Sequence, residues 1–234
     1  AVATSYSYIG QIYFAQNDYS KALDYFKKSL KLDLSFFGEN HPSVASGYYN
    51  IGYVYFAQGD YSKALEYFEE VLKIRLSVYG ENHSRVASVY NDIGEIYSVQ
   101  GDDFKALDYF KKSLKIVLSV YGENHSQVSS IYDHIGEIYF AQKDYSKALY
   151  YFEESLKIRL SLFGENHPEV ALSYYSIGSL YIIQGDKSKA LNYYEKSLKI
   201  RLSVYGENHP LTKEIMDLIN VANSKVLQSP ETTK

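Results

Sequence analysis

The chain contains no cysteine. It cannot build a disulfide framework, a thiolate-held metal or a cysteine nucleophile, which fits a reducing compartment and sets a cytoplasmic expectation. No apolar run approaches the roughly 20 residues that a membrane span needs. Neither charge is in excess: 24 Lys and Arg face 28 Asp and Glu, a net charge of −4. Such a balance offers no general attraction to phosphate backbones or anionic lipid, so neither nucleic acid nor membrane is an expected partner. Also missing are a phosphate-binding glycine loop, a Gly-x-Ser-x-Gly elbow and a His-Glu-x-x-His helix. No catalytic residue, cofactor or metal is therefore expected.

What the chain has in abundance is repetition. Glu-Asn-His followed by Pro or Ser begins at residues 39, 81, 123, 165 and 207, each copy 42 residues after the last. A period in this range marks a solenoid of stacked units, each burying its apolar face on the next. The units run over 1–42, 43–84, 85–126, 127–168 and 169–210, and the second and fifth agree at about two-thirds of positions. The chain starts at Ala1 inside a unit and has its one Met at 216, as expected of a piece cut from a longer protein. Two sequons, at Asn82 and Asn124, arise where Ser replaces Pro in the loop and would matter only in a secreted chain.

Within 43–84, Val44, Tyr48, Ile51 and Tyr55 recur at helical spacing and predict a first helix, A, ending near Gln58-Gly59. Asp60 then supplies an N-cap for a second helix, B, as do Asp18, Asp102, Asp144 and Asp186 in the other units. Helix B carries two apolar stripes, one with Ala64, Phe68 and Leu72, the other with Tyr67, Val71 and Ile74, as a sandwiched helix requires. Gly10, Gly52, Gly94, Gly136 and Gly178 fall inside helix A, where Gly costs about 1 kcal/mol relative to Ala, so close packing must offset it. Ala22, Ala64, Ala106, Ala148 and Ala190 are the expected opposing small residues. A second series, from Gly38 to Gly206, stands where a left-handed residue should end helix B. Residues 211–227 read as a capping helix with a stripe of Ile215, Leu218, Ile219 and Ala222, and 228–234 as a disordered tail.

Tyr48, Ile51-Gly52, Tyr55, Ala64 and Phe68 match in type and spacing the large aromatic, Leu-Gly, Tyr, Ala and Phe of the tetratricopeptide repeat, and every unit repeats the match, with Tyr194 for Phe in the last. The sequence thus resembles that family, and its lengthened unit and Gly-x-x-His-Pro loop resemble the kinesin light chain variety. The resemblance implies an all-α, right-handed solenoid that binds protein or peptide without catalysis. The common unit has about 34 residues. Eight more lengthen helix B by about 12 Å at 1.5 Å per residue and should change the superhelix.

Six histidines invite a metal or catalytic reading. Five of them, His41, His83, His125, His167 and His209, are loop equivalents one unit apart, too distant to share a metal, and read as partners of nearby backbone. His134 lies beside Asp133 and a turn before Glu137, but no nucleophile accompanies it, and it reads as a groove-lining residue.

A stripe of helix A varies from unit to unit: Ser7-Gln11-Phe14, Tyr49-Tyr53-Phe56, Asn91-Glu95-Ser98, Asp133-Glu137-Phe140 and Tyr175-Ser179-Ile182. By the resemblance this stripe lines the concave groove that grips an extended peptide, with Asn50 and Asn91 at positions where paired asparagines hold its backbone and Asp92, Asp133 and His134 departing from that ladder. Apart from Arg85, no helix A of the five units carries Lys or Arg, so the basic clamp by which some members hold a C-terminal carboxylate is missing. Asp92, Glu95, Asp133 and Glu137, flanked by Tyr49, Tyr53, Phe56, Phe140 and Tyr175, suit a basic or aromatic peptide through salt bridges and cation–π contacts. The alternative is structural: an uncovered face near Val2, Ile9 and Tyr13 on which another copy could stack.

Overall fold

Alternating helices follow from the alternating signals of the period. The computed structural model describes residues 2–224, and in them eleven helices and no strand are found. In chain order they are α1 (Val2–Ala15), α2 (Tyr19–Phe37), α3 (Pro42–Ala57), α4 (Tyr61–Tyr79), α5 (Ser84–Val99), α6 (Asp103–Tyr121), α7 (Ser126–Ala141), α8 (Tyr145–Phe163), α9 (Pro168–Ile183), α10 (Lys187–Tyr205) and α11 (Pro210–Ser224). The chain divides into two compact units, Ala1–Val120 and Tyr121–Lys234. In each, helices pack on their sequence neighbours, α1 through α5 in the first and α7 through α11 in the second, while Ser113 of α6 donates to the Ala87 carbonyl of α5 at 2.8 Å. Residues 225–227 of the expected cap, and the whole 228–234 tail, lie outside the described residues.

Each helix end has a residue that makes it. Asp18, Asp60, Asp144 and Asp186 accept from the backbone N–H three residues on, satisfying an orphan donor of the first turn. The loop histidines cap α3, α5, α7, α9 and α11: Nδ1 of His41, His83, His125, His167 and His209 accepts from the N–H two residues ahead, at 3.1–3.3 Å. Their rings stack on the last aromatic of the preceding helix, as His41 does on Phe37 with centroids 4.1 Å apart. These histidines join consecutive helices and are structural. Helix B runs its full 19 residues to Tyr79 in α4, and Gly80 at φ 78° takes the left-handed conformation that ends it.

At Gly52 and Gly178 the expected alanines do stand in the contact, with Ala64 O 3.5 Å and Ala190 O 3.3 Å from where a Cβ would lie, but at Gly94 and Gly136 the nearest neighbour is an aromatic ring. A Cβ on Gly94 would lie 2.9 Å from two carbons of the Phe110 ring, and one on Gly136 would lie 2.7 Å from Phe152. The expectation that Ala106 and Ala148 oppose them is thus corrected: those alanines are buried in the same interface, but an aromatic ring of helix B occupies the hollow that glycine leaves. Phe68 and Phe110 are among the largest fully buried side chains, so the hollow is where the apolar gain of each helix pair concentrates. On α1, Val2, Tyr8 and Ile12 are exposed, whereas Tyr13 turns inward and stacks on Tyr25 at 5.5 Å.

Gly94→Ala is predicted to destabilise the chain by about 1–3 kcal/mol through overpacking against the buried Phe110 ring, reversing the helix propensity that favours Ala. Urea unfolding measures it, and a neutral or stabilising result would contradict the packing.

Candidate functional site

The variable stripe lies on helix A, between the buried residues that fix its register. Of its expected site residues the first unit holds Tyr49, Asn50, Tyr53, Phe56, Asn91, Asp92 and Glu95; the second holds Asp133, His134, Glu137, Phe140 and Tyr175. Tyr53 and Glu137 are exposed and the other ten are half-buried.

In the first unit the aromatics assemble. Tyr49 stacks on Tyr53 with centroids 5.9 Å apart, and Tyr53 in turn contacts Phe14 at 5.9 Å and Phe56 at 6.1 Å. Gln11, Phe14, Phe26, Tyr49, Asn50 and Tyr53 line an open pocket of about 130 Å³. A volume near 150 Å³ accommodates a benzene ring. On α5, Asn91 Nδ2 donates to Glu95 Oε1 at 2.6 Å. Asp92 beside it is mostly withdrawn from solvent: burial, then the charge of Glu95, pushes its carboxyl up to about 7, and Tyr49 and Arg75 pull it back only in part. Oδ2 of Asp92 and Oδ1 of Asn91 are buried without a hydrogen-bond partner among the described residues.

In the second unit the acidic stripe meets a cation from helix B. Arg159 of α8 is 4 % exposed, and its guanidinium pairs with Asp133 at 2.6 Å and Glu169 at 3.0 Å while donating to the Ser173 hydroxyl at 2.7 Å. Burial pushes the Asp133 carboxyl above the ordinary carboxylate range, with Arg159 pulling it back. Tyr175 lies 5.0 Å from the Arg201 guanidinium and donates to Glu214 at 3.2 Å. Phe140 packs edge-on against Tyr145 at 5.9 Å.

Counting charges on helix A alone therefore leaves out the arginines of helix B. Arg75, Arg159 and Arg201 occupy one position of the period, and each reaches the helix-A stripe. The signal was present in the sequence as a column reading Asp33, Arg75, Val117, Arg159 and Arg201. Among the described residues no group of three or more His, Asp or Glu could hold a metal, and no helix is long and apolar enough to cross a membrane.

A raised Asp92 pKa means the folded chain keeps a proton that the unfolded chain, near 3.8, has released. Stability must then fall as pH rises from about 4 to about 7, and the full penalty, up to about 4 kcal/mol, is present above that window. Asp92→Asn should melt higher than the parent at pH 8, with the difference shrinking toward pH 4. Equal differences at both pH values would show that folding leaves the Asp92 pKa unshifted.

Comparison with known proteins agrees with this architecture. The tetratricopeptide repeat model matches residues 1–77, 43–119, 85–161 and 127–203 in overlapping windows. No curated protein matches the sequence. Among solved structures, BtubC (BKLC) from P. vanneervenii is 24% identical, with a TM-score of 0.77 over 88% of this chain and 81% of its own. The nearly identical TPR-like repeats of a Podosopora anserina protein described as a kinesin light chain give 16% identity and a TM-score of 0.72, over 86% and 96%. A Rap protein complexed with competence and sporulation factor gives 18% and 0.66, over 93% and 64%. At these identities the likeness is one of fold, while the family model spans most of the sequence. The chain is a member of the tetratricopeptide repeat family.

Proposed function

We propose that the chain is a non-catalytic interaction scaffold whose helix-A face binds an extended peptide carrying aromatic and basic residues. The observation that carries this reading is the mainly apolar pocket of about 130 Å³ lined by Phe14, Phe26, Tyr49 and Tyr53 together with polar Gln11 and Asn50. Exposed Tyr53, stacked on half-buried Tyr49 and against Phe14, is apt for a ligand ring or an apolar side chain. Glu95 acts electrostatically on Tyr53 from the next helix A, so a cationic residue beside the ligand's aromatic would meet opposite charge. Asp133 contributes little to such a ligand, being held by Arg159. Within the stripe of the first unit a cationic ligand group would meet Glu95 rather than Asp92, which keeps its proton up to about 7.

Fluorescence polarisation against a library of aromatic–basic peptides tests this. Binders should lose roughly tenfold or more in affinity, about 1.4 kcal/mol, on Tyr53→Ala and again on Glu95→Lys, with unfolding midpoints little changed. Binding that ignores both substitutions would place the ligand elsewhere.

A further inference from the structure

Asp33 occupies the position that the period fills with arginine at Arg75, Arg159 and Arg201. Those arginines share one arrangement. Arg75 donates to the Arg85 carbonyl at 2.7 Å and the Ser88 hydroxyl at 2.9 Å, with the Tyr49 ring over its guanidinium. Arg201 donates to the Leu211 carbonyl at 2.6 Å and Glu214 at 3.4 Å, under the Tyr175 ring. Arg159 reaches Asp133, Glu169 and Ser173. Moved back by whole periods, these partners fall on four residues: Ser7 for Tyr49, Asp133 and Tyr175; Ser43 for Arg85, Glu169 and Leu211; Ser46 for Ser88 and Glu214; Gly47 for Ser173.

Those four residues, with Asp33 and Asn50, line a cavity of about 170 Å³ in the first unit. The arginine slot is thus preserved there while the arginine is absent, its covering ring is reduced to Ser7, and a carboxylate stands where the arginine stem would begin. Among the described residues Asp33 makes no hydrogen bond or ion pair, and burial pushes its carboxyl above the ordinary range, with His41 first among the charges at longer reach that pull it back. The size suits a planar cation, since a cavity of about 150 Å³ already holds benzene.

We infer that the cavity around Asp33 takes the guanidinium of an arginine side chain from a peptide partner, in the place where other repeats use their own. The Asp33 carboxylate would accept two guanidinium N–H groups, and the Ser43 carbonyl and Ser46 hydroxyl the remainder, as the Arg85 carbonyl and Ser88 hydroxyl do for Arg75. An ammonium has no such fork, which selects arginine over lysine. The inference rests on the proposal that this face binds a basic peptide, and it deepens it: the cavity and the aromatic pocket share Phe26 and Asn50, so arginine and aromatic side chains would be taken side by side.

An NMR titration of the full chain with acetyl-Ala-Ala-Arg-Ala-Ala-amide, and with lysine or neutral citrulline in place of the arginine, tests it. Saturable shifts are expected at the Ser43, Ser46 and Gly47 amides, roughly tenfold or more weaker affinity for citrulline, and loss of binding in Asp33→Asn. Asp33→Arg, which fills the slot from within, should abolish binding with an unfolding midpoint equal to or above the parent's. Equal affinity for arginine and citrulline, or unchanged affinity in Asp33→Asn, would overturn the inference. The two proposals fail separately: aromatic–basic peptides that need Tyr53 but ignore Asp33→Asn remove the arginine slot alone, and an arginine peptide that needs Asp33 while library binders ignore Tyr53 and Glu95 removes the aromatic face alone.

Discussion

The approach of helix A to helix B at a glycine is the contact on which the rest depends. At Gly94 a helix that would gain from alanine instead leaves a hollow, and the Phe110 ring of the next helix fills it. The penalty of glycine in a helix, about 1 kcal/mol, is set against burial of a whole aromatic side chain, which contributes about 1.5–3 kcal/mol. With the ring seated, Ala106 lies at full burial in the same interface and Val86 and Ile93 keep their register on α5. The glycine column is therefore constant through the units, and so is the direction in which the remaining face of helix A points.

That constancy is what frees the stripe. Residues such as Tyr53 and Glu95 take no part in the hollow, so their identity can change from unit to unit without disturbing it. The column at Arg75 sits between the two regimes. Its arginines bridge their own helix pair to the start of the following helix, tying neighbouring pairs through charge-assisted bonds. Where Asp33 stands in that column, the bridge is missing and the walls that would have held it remain.

Fold was legible in the sequence because its determinants are local and repeated. Asp60 as a cap, Gly80 as a stop and the apolar spacing of Val44, Ile51 and Val71 each act within a turn or two, and the period states them several times over. The partner of Gly94 was less legible: spacing identifies a close approach, but which side chain fills it depends on the crossing of two helices. The site was legible as a set of positions, and its electrostatics were not. Asp133 in the stripe and Asp92 one residue beside it look alike as acids of helix A, yet one is paired by an arginine 26 residues further on and the other is buried with a carboxyl oxygen unbonded. The pairing comes from helix B and the burial from tertiary packing, neither of which can be read from the helix-A face alone.

Intermolecular NOEs between the chain and a bound peptide bearing one arginine and one aromatic residue test the central claim most directly. The account predicts contacts from the aromatic ring to Phe14, Tyr49 and Tyr53 and from the arginine side chain to Ser43 and Gly47. Contacts confined to the outward faces of the B helices, or to the exposed side of α1 at Tyr8 and Ile12, would contradict it.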